Sequence, residues 1–99
     1  MLATAWNNGG NQYGIRVGKV NRDRYFNRGW NLIEVDIEGK LYQFVLTSGF
    51  WRNCPEFRDS GQPIIQEWLT KHKILTWPKG EPPQVQLISL GNGKFRLLP

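Results

Sequence analysis

The chain has one cysteine, Cys54, and one histidine, His72. A lone cysteine cannot form an intrachain disulfide, which leaves stability to ordinary packing and suits a reducing compartment. One cysteine and one histidine also fall short of the nitrogen and sulfur ligands of an ordinary structural zinc site. Long apolar runs are missing: nothing approaches the ~20 residues of a membrane helix, so no membrane partner is expected. The opening "MLATAWNNGGNQ" lacks a basic stretch leading into an apolar one, so no secretory signal is expected. These absences predict a soluble, cytoplasmic protein. Acids are scarce too, eight against thirteen lysines and arginines, for a formal charge of +5. Such a balance favours acidic partners and is silent about fold.

What is present argues for a folded domain. Aromatic residues make up 13% of the 99 residues, five of them tryptophan, which disordered chains rarely carry. The length suits a single small domain over 1–99, able to bury roughly 60–70% of its unfolded surface. Residues 1–12 end in "NNGGNQ", a loop-favouring run, and read as a flexible N-terminal arm with Trp6 docking it to the body.

Periodicity supplies the elements. "YGIRVGKV" alternates around Ile15, Arg16 and Val17 and predicts a strand; "NRDRYFNRG" then breaks the pattern and predicts a loop or short helix. In "NLIEVDIE", Ile33, Val35 and Ile37 face one way and Glu34, Asp36 and Glu38 the other, as in a half-buried antiparallel strand. Gly39 turns the chain into "LYQFVLT", with Tyr42, Phe44 and Leu46 on one face, to form a hairpin. A helical turn is expected near Phe50–Asn53, stopped by Pro55. "PIIQEWLTKHK" places Ile64, Ile65, Trp68, Leu69 and His72 on one helical stripe. "TWPKGEPP" is a stiff connector, and "QVQLISL", "GNG" and "KFRLL" predict a closing hairpin. The predicted class is α+β: a mainly antiparallel sheet curled toward a partly open barrel, with one amphipathic helix packed on it.

Chemistry-bearing patterns are few. Cys54 and His72 form a nucleophile and base only if the fold brings them together, and no other cue lowers the thiol pKa apart from Arg52 and Arg58. His72 on an apolar stripe reads first as a packed side chain. The carboxylates of Glu34, Asp36 and Glu38 follow from strand alternation alone, and "GNG" lacks the helix and third glycine of a phosphate cradle. No catalytic group, no metal site and no cofactor is expected, and the chain reads as a non-enzyme. A cysteine-dependent enzyme is the most remote alternative.

The strongest signal is "RVGKVNRDRYFNRGW", where Arg16, Lys19, Arg22, Arg24 and Arg28 stand against the single acid Asp23. Lysine and arginine neutralise phosphates and release counterions, and arginine adds a flat fork that matches phosphate or a guanine edge. Phe26 and Trp30 are expected to pack inward and Tyr25 outward. Lys71, Lys73 and Lys79 make a second cluster that would extend the first if the fold sets them side by side. The reading is a nucleic-acid-binding module, with DNA as the expected partner. The alternative is a protein-interaction or regulatory module, with a protein partner or a second copy of the chain. It would use the aromatic "GFWRNCPEF" and the connector, with Trp51, Phe57 and Trp77 in the patch.

The order "KVNRDRYFNRGW" ahead of "IEVDIEGKLYQFVLTSGFW" resembles the pseudobarrel DNA-binding modules of plant transcription factors and some restriction enzymes. Those modules set a basic segment before a strand–turn–strand with a "GK" turn and a following "GW" or "FW"; "EGKLYQF" and "LTSGFW" are similar here. The resemblance covers under half of the chain. After Trp51 this sequence inserts "PIIQEWLTKHK" and "WPKGEPP" before its last hairpin, and no residue role is carried over.

Overall fold

The structure is a computed structural model that describes residues 1–99. Seven strands and two helices follow in the order β1 (Leu2–Asn7), β2 (Tyr13–Arg16), α1 (Lys19–Tyr25), β3 (Leu32–Ile37), β4 (Lys40–Val45), a short 3-10 helix (Ser48–Trp51), β5 (Glu56–Arg58), α2 (Ile64–His72), β6 (Gln84–Gly91) and β7 (Lys94–Leu98). The strands form one sheet in the order β4-β3-β7-β6-β1-β2-β5. Every pair is antiparallel except β3 with β7. The sheet curls until its two ends nearly meet. No ladder joins β4 to β5, but the rings of Phe44 and Phe57 bridge that seam at 5.1 Å. The molecule is a small α+β fold with a nearly closed, mostly antiparallel barrel.

The interior follows from alternation. Ile33, Val35 and Ile37 of β3, Phe44 of β4, Val85 and Leu87 of β6, and Phe95 and Leu97 of β7 are all buried. Burying a large apolar side chain contributes about 1.5–3 kcal/mol, so this ring of pairs is the main source of stability. Phe26 leaves α1 to lie flat on Phe95, 4.7 Å between centroids, and to touch Phe50 at 5.1 Å. Trp30 is half-buried edge-on to both Phe26 and Phe95, and Tyr25 is exposed.

Two expectations change. Residues 2–7 are no arm: they form β1, hydrogen-bonded between β6 and β2 deep within the sheet. Ala3 and Ala5 alternate inward with Thr4 and Trp6 outward, a period-two signal carried by small residues and overshadowed by the "NNGG" turn that follows. The chain also has two helices rather than one. The segment that breaks the strand pattern after Val17 closes into α1.

The two helices cap opposite ends of the barrel. β1, β3, β5 and β7 run one way, and β2, β4 and β6 the other. The chain enters α1 from β2, the 3-10 helix from β4, and the last turn from β6, so these share one end. α2 follows β5 and lies with the β1–β2 and β3–β4 turns at the other. Six-residue strands separate the ends by roughly 20 Å.

Candidate nucleic-acid interface

α1 positions the first basic residues and takes one of them inside. Arg22 is only 5% exposed. Its Nη1 donates to the backbone carbonyls of Phe50 (3.1 Å) and Arg52 (2.9 Å), and its Nε donates to Asp23 Oδ1 (2.9 Å). The Arg22 hydrogen bond, with the Arg22, Arg28 and Lys19 charges, holds the Asp23 carboxyl below its ordinary range. Arg22 therefore pins the 3-10 helix to α1 and has no fork left for an outside anion.

That pin brings residues 51–58 alongside α1 and the end of β2, and basic side chains from three elements line this segment. The Arg28 guanidinium lies over the Trp51 ring at 5.4 Å and 3.7 Å from Asp23. Arg52 is exposed with no carboxylate in ion-pair range. Lys19 Nζ donates to Asn53 Oδ1 at 3.2 Å. Arg16 and Arg58 flank Glu56, at 3.6 Å and 2.8 Å. Five outward cations thus share one surface with two carboxylates, Asp23 and Glu56.

The β1–β2–β5 corner gives this surface its most ordered part. Strand register sets two rows across its outer face, Trp6–Gly14–Arg58 and Thr4–Arg16–Glu56. Gly14 is a packing requirement: a Cβ there would sit 2.3 Å from the Phe57 carbonyl oxygen. Its bare backbone leaves Arg58 free to reach over β2 and stack on Trp6, 4.5 Å from the ring centroid. Glu56 points outward from the barrel, yet its side chain is only 2% exposed. Oε1 accepts from Arg58 Nη2, and Oε2 is shut from solvent with no hydrogen-bond donor. Trp6, Arg16 and Thr4 also border a cleft of about 520 Å³ closed by Trp77 of the connector.

The remaining basic residues lie elsewhere. Arg24 is exposed over its neighbour Tyr25, 5.6 Å from the ring. Lys71 and His72 close on Glu38 of the β3–β4 turn, at 2.7 and 3.0 Å, at the far end of the barrel. The Lys71 and His72 hydrogen bonds draw the Glu38 carboxyl below its ordinary range, Lys71 first. Lys79 lies in the connector beside Gly80, which lines the cleft shared with Arg16 and Trp6. Lys73 follows α2 at the far end, so Lys71 and Lys73 do not join the first basic cluster, because α1 and α2 cap opposite ends. Asp59 anchors α2 there: Oδ1 accepts from Ile65 N (2.7 Å) and Oδ2 from Gln66 N (3.0 Å), since Pro63 supplies no side-chain cap. Burial pushes the Asp59 carboxyl up, against the pull of those two N–H groups.

Cys54 and His72 are not brought together. Cys54 lies against Gly49 beside the 3-10 helix, while His72 packs on Trp68 at the opposite end. Of the aromatic patch, Phe57 is buried, Trp51 is half-buried under Arg28, and Trp77 meets Tyr13 edge-on at 6.4 Å.

Sequence reasoning misses Trp6, Arg52, Glu56 and Arg58 as parts of a basic surface. The alternation Glu56–Phe57–Arg58 marks a strand, and Gly14 inside a strand pattern marks a close backbone approach. Only the β2–β5 register joins the two signals. No protein-family model, no curated protein and no solved structure matches the chain.

Proposed function

We propose that this chain is a nucleic-acid-binding module that grips duplex DNA along residues 51–58. The observation that carries the reading is the convergence of Arg16, Lys19, Arg28, Arg52 and Arg58 on one surface against only two carboxylates. One of those acids, Glu56, is buried between two arginines, so the trio keeps a net positive charge toward an approaching anion. The binding step is electrostatic. Outward cations displace condensed counterions from the phosphates, and no bond is made or broken. The resemblance of the first half of the chain to pseudobarrel DNA-binding modules points the same way.

A salt titration of binding to random-sequence duplex tests the reading. With four or five phosphates neutralised, log K falls against log salt with a slope of roughly −4. No binding at low salt, together with self-association in sedimentation, would favour the protein-interaction reading instead.

A further inference from the structure

We propose that Arg58, paired with Arg16, reads a guanine edge in the major groove, and that Trp6, Gly14 and Glu56 are its positioning residues. This rests on the duplex-DNA reading above and adds sequence recognition to it.

The first support is the buried Glu56. A carboxylate shut from solvent is costly, and for stability alone an apolar side chain serves as well. Here it lies on the outer face of the sheet, where a glutamate would normally be solvated, with two guanidinium groups closed over it. Its effect is to hold Arg58 by a hydrogen bond and to draw Arg16 alongside it. Phosphate binding does not need that, since any mobile cation serves. A planar edge with two acceptors does, because a fork finds it only in one plane.

The geometry of Arg58 fits the second case. Contact over the Trp6 ring at 4.5 Å and the Nη2 bond to Glu56 Oε1 together restrict the guanidinium at two points. Nη1 and the second hydrogen of Nη2 remain, the pair that meets guanine O6 and N7. Freezing an arginine costs rotamer entropy, and here the free protein has already frozen it. Gly14 makes the reach possible, because any side chain there would fill the row between Trp6 and Arg58.

The scale also fits. Three strands at ~4.8 Å spacing span about 10 Å, and the B-form major groove is about 12 Å wide. The four steps from Arg52 to Glu56 reach at most ~14 Å, enough to set Lys19 and Arg52 on the phosphates of a groove wall while Arg58 enters it. An A-form major groove is too deep and narrow for this entry, so the geometry selects DNA over duplex RNA.

The test selects bound sequences from a random duplex pool. It then compares the selected duplex with versions carrying single G·C to A·T exchanges, for wild type, Arg58→Lys, Trp6→Ala and Trp6→Phe. Wild type is expected to prefer guanine at one position. Arg58→Lys keeps the charge and loses the fork, so that preference should fall about 10- to 100-fold while the salt slope stays. Trp6→Ala should weaken it in the same direction, and Trp6→Phe should restore part of it. Thermal unfolding checks that each variant folds, and Arg58→Lys decides the matter if Trp6→Ala does not. A wild type that binds all duplexes equally with a steep salt slope overturns this inference and leaves the proposed function standing. So does an Arg58→Lys variant with unchanged preference. A chain that binds no duplex at low salt overturns both.

Discussion

At the α1 end of the barrel, Lys19 and Arg52 meet no carboxylate, and Arg28 shares Asp23 with the interior Arg22. At the α2 end, Lys71 and His72 converge on a single acid, Glu38, and Asp59 is turned inward to cap the helix. Both ends are basic by composition. They differ in where the acids fall, and that follows from turns and register rather than from charge density. Glu38 sits at a tight turn with positive φ (55°), which swings its carboxylate out toward α2. A count of lysines and arginines treats the two ends alike; the pairing geometry ties Lys71 and His72 to Glu38 at one end and leaves Lys19 and Arg52 without a carboxylate at the other.

Charge reversal should separate the two ends most strongly. Lys19→Glu with Arg52→Glu is expected to lower affinity for duplex by about two orders of magnitude at low salt, whereas Lys71→Glu with Lys73→Glu should change it little. Fluorescence anisotropy on the same duplex reads both, and equal losses at the two ends would erase the distinction.

The next effect concerns the pin. Arg22→Ala removes three hydrogen bonds from a buried guanidinium and strands the Phe50 and Arg52 carbonyls. A loss of about 3 kcal/mol is expected in urea unfolding, because bonds to charged groups contribute ~1.5–3 kcal/mol each before compensation. If stability holds, the segment 51–58 is not positioned by Arg22.

At the other end, Asp59→Ala uncaps α2 and is expected to cost ~1–2 kcal/mol, with binding to duplex unchanged. A binding defect in a well-folded Asp59→Ala protein would tie the two ends together.

The smallest effect is a pH dependence. The Glu38 carboxyl is held below its ordinary value of 4.5, so its contribution is complete above about that pH and is lost as pH falls through the folded value. Asp23 behaves likewise around 3.8. Asp59 has the opposite sign: its folded value is raised, so its contribution is present below its ordinary 3.8 and fades as pH rises through the folded value. Glu38→Gln should therefore narrow its stability gap to wild type as unfolding is followed down in pH, and a gap independent of pH would remove the Lys71–Glu38 pairing from the account.

Much of the frame is legible in the sequence because local periods coincide with it. Ile33–Val35–Ile37 against Phe44 and Leu46, the "GNG" turn, and the Ile65–Trp68–Leu69 stripe each encode their element within a few residues. β1 is hidden because alanines give a faint alternation. The parallel β3–β7 pairing is hidden because nothing local encodes a partner sixty residues away. The site divides in the same way. Arg16, Lys19 and Arg28 stand together in the sequence, but Arg52 and Arg58 join them only through the β2–β5 register, and Arg22 looks like its neighbours until the helix turns it inward. Side-chain direction on a seven-residue helix cannot be read from a charge run.

The most direct measurement is the salt slope of duplex binding for Lys19→Gln with Arg52→Gln, set beside that for Lys71→Gln with Lys73→Gln. The first pair is expected to flatten the slope by about two, one unit for each lost phosphate contact, and the second pair to leave it at the wild-type value. An unchanged slope in the first pair, or an equal change in both, would contradict that expectation.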